Sequence, residues 1–123
     1  MNARVALAAA VIVLLVVSVA LLVHVAGGPG PEARHDWIVR ELIDKGHARE
    51  AVDQLEALRR DADPALAERI DRSLVRAYIG VGDDPSLSVE AATRWHRRAY
   101  ELDSDALAPI PRRLVEQQIE AER

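Results

Sequence analysis

The chain has 123 residues, with 16 basic and 20 acidic side chains, a formal net charge of −4, no cysteine and four aromatic residues. The absence of cysteine excludes disulfides, thiolate catalysis and cysteine-ligated metal centres. A chain of this length holds one small domain rather than a multidomain enzyme, and its acidic balance makes it a poor general binder of nucleic acid. Fifteen arginines against one lysine favour a GC-rich bacterial gene.

The N-terminal stretch, residues 5–26, contains no charged side chain. As a helix it would be about 33 Å long, which matches a bilayer core of about 30 Å. An uncleaved transmembrane signal anchor over residues 1–26 is favoured over a cleaved signal peptide, whose apolar region runs only about 7–15 residues. Arg4 and the free amino terminus predict an inside N-terminus, so the remaining chain would lie outside a bacterial inner membrane, in the periplasm where one exists.

Glycine and proline punctuate the chain after this stretch and predict an irregular tether over residues 27–35. Beyond the tether, apolar residues recur at spacings of three and four, which is typical of amphipathic helices, and no strand pattern is present. The Asp63-Pro64 pair and Ser88 are typical helix starts. The sequence therefore predicts an all-α chain whose helices cover about 36–45, 48–61, 64–80, 88–102 and 111–122.

Two successive helix pairs carry similar apolar patterns, each with a glycine at the turn. The first reads Ile38-Val39-x2-Leu42, Gly46, Ala51-x3-Leu55, and the second reads Leu74-Val75-x2-Tyr78, Gly82, Ala92-x3-His96-x2-Ala99. This pattern resembles the tetratricopeptide repeat (TPR), a unit of about 34 residues that pairs a Leu-Gly-x2-Tyr helix with an Ala-x3-Phe helix.

The resemblance implies a short α-hairpin solenoid, with two TPR-like helix pairs over residues 36–104 and a C-terminal capping helix over 105–123. It also implies burial of small and bulky residues between the helices: Ala51, Leu55, Leu74, Tyr78, Ala92 and Ala99. Both copies depart from the consensus, because valine replaces its glycine and the second turn is five residues longer than the first. An unrelated small helical bundle remains the alternative.

Catalytic chemistry has no signature in the sequence, which lacks a phosphate-binding loop, a nucleophile motif and a zinc-protease motif. His47 and Glu50 have the spacing of metal ligands on a helix, but two ligands alone do not hold a metal. We therefore predict no catalytic residue, no cofactor and no metal, and do not expect an enzyme.

A row of arginines is the sharpest signal for binding. Arg69, Arg72 and Arg76 share one face of the helix over 64–80. In TPR proteins the inner faces of such helices line a peptide-binding groove, so the resemblance implies a partner site that would accept an acidic segment or a C-terminal carboxylate. The predicted site residues are Trp37, Arg40, Asp44, Arg69, Arg72 and Arg76. The alternative is a solvated face whose arginines pair with Glu68, Asp71 or neighbouring helices.

These observations predict a membrane-anchored TPR-like adaptor or scaffold that binds another envelope protein through an arginine-lined groove. The alternative is a small accessory or assembly subunit of a larger membrane complex, held mainly through its transmembrane helix. Because solenoids of this kind need three or more repeats to bury a continuous core, self-association stays open as a way to complete it.

Overall fold

The structure, a computed structural model, describes the backbone of residues 3–25 and 30–123 and the side chains of residues 3–14 and 30–123. Met1, Asn2 and residues 26–29 lie outside the described residues, and with them the first three residues of the predicted tether. Over the described ranges the chain is all-α, with no strand, and it divides after Gly30 into two compact units.

The first unit contains helix α1, Ala3–Val25. Within the described part of the chain, no helix is both long enough and apolar enough to cross a membrane.

This finding corrects the predicted transmembrane signal anchor over residues 1–26. The predicted inner-membrane and envelope location depended on that anchor and is corrected with it. Over the described residues the fold class is accordingly all-α, and none of their helices meets the prediction of a transmembrane helix.

The second unit contains five α-helices and one π-helix within residues 31–123. The α-helices are α2 (Pro31–Ile38), α3 (Ala48–Arg59), α4 (Pro64–Gly82), α5 (Val89–Leu102) and α6 (Pro109–Ala121), and the π-helix, π1 (Val39–Ile43), follows α2 directly. Helix α2 begins at Pro31, within the stretch predicted as tether, because proline is well suited to the first turn of a helix.

Helix starts follow the capping chemistry expected from the sequence. The Asp63 carboxylate accepts a hydrogen bond of 2.8 Å from the backbone N–H of Leu66, and Pro64 occupies the first helical position of α4. The Ser88 hydroxyl accepts a bond of 3.1 Å from the N–H of Ala91 and opens α5. These caps fix where the two longest helices of the second unit begin.

The core lies between successive helices of the second unit. Ala51, Leu55, Leu74, Tyr78 and Ala99 are buried, as the repeat pattern predicts, whereas Ala92 is only half-buried. Other fully buried side chains include Ile38, Val52, Ile70 and Val115.

Contacts between side chains fix the directions of the helices. Helices α3 and α4 are antiparallel, since Arg59 pairs with Asp71 near one end and Glu56 accepts a hydrogen bond from Tyr78 further along. By contrast, α2–π1 and α4 run in the same direction. Their ion pairs join Asp36 to Arg69 at one end and Asp44 to Arg76 at the other.

Candidate functional site

The three arginines of α4 project from one side of the helix towards solvent. Their side chains are 42%, 67% and 56% exposed at Arg69, Arg72 and Arg76. The opposite side of α4 carries the apolar residues Ile70, Leu74 and Ala77 into the core. An amphipathic helix that buries one face therefore presents these arginines on the other.

Each of these guanidinium groups already has an acidic partner. Arg69 donates to Asp36 at 3.2 Å and Arg76 donates to Asp44 at 2.9 Å, so both tie α4 to the segment α2–π1. Arg72 donates to Glu68 of its own helix at 3.2 Å. The paired arrangement that the sequence left as the alternative is thus what the side chains adopt without a partner present.

The remaining predicted site residues lie on α2, on π1 and directly after π1. Trp37 is 44% exposed. Arg40 is 70% exposed, and its Nε lies 3.7 Å from a carboxylate oxygen of its neighbour Glu41. Asp44 directly follows π1, and its carboxylate forms the ion pair with Arg76.

An open cleft of about 520 Å³ lies between α4 and the segment that joins α5 to α6. We call it the α4 cleft, and it is lined by Glu68, Asp71, Arg72, Val75, Arg76, Leu102, Asp103 and Ala106. Of the six predicted site residues, Arg72 and Arg76 line this cleft, whereas Trp37, Arg40, Asp44 and Arg69 are not part of its lining. Sequence reasoning missed Leu102 at the end of α5 and Asp103 and Ala106 after it, because their position beside α4 depends on how the chain folds back there.

A serine, a histidine and an aspartate lie next to one another, with the histidine ring between the other two side chains as in the catalytic triad of serine hydrolases. His35 Nε2 lies 2.8 Å from Ser73 Oγ, and His35 Nδ1 lies 3.5 Å from an oxygen of Asp36. However, His35 and Ser73 are only 6% and 7% exposed, and Nδ1 has no hydrogen-bond partner. A nucleophile must reach substrate beside donors for the developing oxyanion, so this trio ties α2 to α4 rather than forming a usable active site.

The sequence did contain a signal for this buried contact. Ser73 occupies a polar position within the apolar stripe of α4, between Ile70 and Ala77. A polar side chain on a buried face needs a partner, and His35 supplies it.

Metal ligands are not gathered anywhere in the described part of the chain. Over those residues, no group of three or more histidine, aspartate, glutamate or cysteine side chains could hold a metal ion. His47 and Glu50 both line a separate open cleft of about 670 Å³ beside the turn at Gly46 and the C-terminal end of α4.

One strong pKa shift marks the packing of α3 on α4. Burial raises the pKa of the Tyr78 phenol, and so does the hydrogen bond of 2.7 Å that its hydroxyl donates to Glu56. Tyr78 therefore stays neutral over the physiological pH range and acts as a fixed donor between the two helices.

Comparisons with known proteins give no relative for this chain: no family model, curated protein or solved structure matches it. The resemblance to TPR proteins therefore rests on the sequence pattern alone and stays a prediction.

Proposed function

We propose that the chain is a TPR-like interaction module that holds an acidic segment of a partner protein in the α4 cleft. Arg72 and Arg76 are its main contacts to the partner. The single observation that carries the proposal is that these two exposed guanidinium groups line one cleft together with the apolar residues Val75, Leu102 and Ala106.

The arrangement of the helices supports the TPR-like part of this proposal. The segment α2–π1 and helix α4 run side by side in the same direction, as the ion pairs Asp36–Arg69 and Asp44–Arg76 require. Each is followed by an antiparallel helix. In such an array the first helices of successive pairs line one surface, which is where a partner segment would lie.

The internal ion pairs do not prevent binding. Arg72 pairs with Glu68, whose side chain is 74% exposed, and Arg76 pairs with Asp44, whose side chain is 51% exposed. Exposed pairs of this kind contribute only about 0–1 kcal/mol. A carboxylate of a partner that binds a guanidinium group through two parallel hydrogen bonds can therefore replace either internal acid.

The apolar residues of the cleft lining supply the other part of the interaction. Val75, Leu102 and Ala106 line the cleft, and Leu102 is 44% exposed. Burying this apolar surface adds affinity that charge alone does not provide. We therefore expect the bound segment to combine an acidic residue with an aliphatic one a short distance along the chain.

A site-specific cross-linking experiment tests the proposal. A photoreactive amino acid replaces Glu68, which lines the α4 cleft. The matched control replaces Glu120, which is equally exposed at 74% and likewise pairs with an arginine of its own helical segment, Arg123, but does not line this cleft. We expect one discrete cross-linked protein from position 68 and none from position 120 in cells that express the chain.

The arginines are then tested in the position-68 background. Replacing Arg72 and Arg76 together by alanine should abolish the cross-link while the circular dichroism spectrum stays helical, and the cross-link should weaken as salt rises. An equal cross-link from both positions, or a cross-link that survives the loss of both arginines in a folded protein, contradicts the proposal.

A further inference from the structure

Trp95 carries two arginines on its indole ring. The guanidinium carbon of Arg98 lies 4.5 Å from the ring centre, and that of Arg49 lies 4.6 Å from it. Arg98 belongs to α5, like Trp95, whereas Arg49 comes from α3. Arg98 also lies 5.9 Å from the ring centre of Tyr78, so the cluster spans three helices.

Neither arginine has an acidic partner within ion-pair distance among the described residues. Arg49 could have paired with Asp53 one turn along α3, but it stacks on the indole ring instead. The two guanidinium groups lie no more than about 9 Å apart, because each lies within 4.6 Å of the same ring centre. Like charges at that separation still repel each other at physiological salt.

The carboxylates that line a cleft with Arg98 already accept hydrogen bonds from other residues. The acidic residues that line the same cleft are Glu56, Asp71 and Glu101. Glu56 accepts the hydrogen bond of Tyr78, Asp71 accepts two from Arg59, and Glu101 accepts one from Arg97. None of the three forms an ion pair with Arg98, so its hydrogen-bond donors remain available to a group outside the chain.

The indole ring holds both guanidinium groups in place before any ligand arrives. A stacked guanidinium group keeps its N–H edge free, and that edge matches the two oxygens of a carboxylate. Because the arginines are held by Trp95, less side-chain entropy is lost on binding.

The cleft beside Arg98 adjoins the α4 cleft, because Asp71 and Leu102 line both, but the cluster on Trp95 meets another side of α4 than the one that carries Arg72 and Arg76. At about 100° per residue, Tyr78 lies about 200° around α4 from Arg76 and about 240° from Arg72. A segment bound by Arg72 and Arg76 therefore does not also contact Arg49 and Arg98 through the same face of α4.

We propose that Arg49 and Arg98, stacked on Trp95, form a second binding site, which takes carboxylate side chains from an acidic segment of a partner protein. An acidic segment that bridges the two guanidinium groups would satisfy their free donors and remove their mutual repulsion. The site is independent of the proposed function of the α4 cleft.

The fluorescence of Trp95 provides a direct test in the full chain. Replacing Trp37, the other tryptophan, by phenylalanine leaves Trp95 as the sole indole reporter. The probe is an eight-residue peptide of alternating glutamate and glycine, and the control is the same peptide with glutamine in place of glutamate. We expect a saturable change in Trp95 emission with the glutamate peptide only, which weakens as salt rises.

Variants then separate this site from other arginines. Changing Arg49 and Arg98 together to lysine keeps the charge but removes the planar fork, and we expect the affinity for the glutamate peptide to fall about tenfold. The matched control is Arg94→Lys, another exposed arginine of α5 without an ion pair among the described residues. It should bind as the parent does.

Three results overturn the proposal. The first is the absence of a saturable change with the glutamate peptide, and the second is an equal loss of affinity in Arg94→Lys. The third is a loss of the Trp95 signal on changing Arg72 and Arg76 to alanine, which would assign binding to the α4 cleft. Thermal unfolding of each variant confirms that the folded state is retained.

Discussion

The two helix pairs, residues 31–59 and 64–102, each turn at a glycine, but the two glycines serve different physical needs. Gly46 has φ +82°, a backbone conformation that side chains rarely allow, and a Cβ added there would meet nothing within 4 Å. Gly82 lies at the end of a helix, but a Cβ there would lie 2.5 Å from the His96 ring. The same glycine in the sequence pattern is thus required for its positive φ in the first pair and for its lack of a side chain in the second.

The first helices of the two pairs also differ. Helix α4 is α-helical throughout, whereas α2 continues into the π-helix π1. The two ion pairs between these helices show the effect on the register. Asp36 and Arg69 are 33 positions apart in the sequence, but Asp44 and Arg76 are only 32 positions apart. The segment α2–π1 thus uses one residue more than α4 over the same distance, and the wider π-turn absorbs it.

We expect the largest difference in stability between two variants, each of which lacks one residue of the first helix of one pair. Deleting Arg72 from α4 rotates the rest of that helix by about 100° and takes Leu74 and Tyr78 away from the core, so we expect no cooperative unfolding transition. Deleting Arg40, which is similarly exposed, lets π1 become α-helical. The residues before and after π1 then keep their present faces towards the core. That variant should unfold cooperatively, within about 1 kcal/mol of the parent.

Urea unfolding followed by circular dichroism measures both deletions. If removal of Arg40 also abolishes the transition, the extra residue is not held in π1 and the register argument is wrong.

The space required at Gly82 gives the next largest effect. In Gly82→Ala the new Cβ collides with the His96 ring, which is buried and held by a contact of 2.9 Å between its Nε2 and Asp83. The ring cannot move away freely, so we expect a loss of about 3 kcal/mol in the free energy of unfolding. Adding His96→Ala should make the Gly82→Ala change much less costly. A cost at position 82 that is unchanged without the ring would contradict the steric explanation.

At Gly46 the cost of a substitution should depend on the backbone conformation that the new residue can adopt and not on the size of its side chain. Since nothing lies near its Cα, Gly46→Ala costs only the strain of a positive φ, about 1–2 kcal/mol. Gly46→Asn should cost less, because asparagine enters this conformation more readily. Thermal unfolding of the two variants compares them, and equal costs for alanine and asparagine would show that another factor dominates.

Sequence reasoning located most helices of the second unit because capping residues and apolar spacing are local signals. Asp63, Pro64 and Ser88 mark helix starts, and the predicted core residues other than Ala92 are buried. The π-turn left no such signal, since it results from fitting two helices of unequal residue number side by side.

The candidate site was harder to predict than the helices. The arginine face of α4 follows from periodicity, but the wall of the α4 cleft formed by Leu102 and Ala106 depends on how the chain turns after α5. Side-chain partners are also hard to predict, because Arg49 could pair with Asp53 one turn along its own helix but stacks on Trp95 of another helix. The charge-free run near the N-terminus predicted a membrane anchor from length and composition alone, and that prediction was corrected.

The smallest expected effect distinguishes the electrostatics of the two turns. Near the first turn, the hydrogen bond and charge of Lys45 lower the pKa of Glu41. In the second, hydrogen bonds from the backbone N–H and the hydroxyl of Ser86, at 2.9 and 2.8 Å, lower the pKa of Asp84. A carboxyl with a lowered pKa stabilises the fold above its unfolded-state pKa, and that contribution is lost as pH falls through the folded value.

Salt should separate the two carboxyls, because one depends on a charge and the other on neutral donors. At 1 M salt the screening length falls to about 3 Å, so the pKa of Glu41 should rise towards its ordinary value while the pKa of Asp84 stays low. NMR titration of the side-chain carboxyl carbons measures both. Lys45→Met should raise the pKa of Glu41 without added salt, and Ser86→Ala should raise only that of Asp84. Equal salt responses at Glu41 and Asp84 would mean that the two turns are held by the same kind of interaction, against the contacts described above.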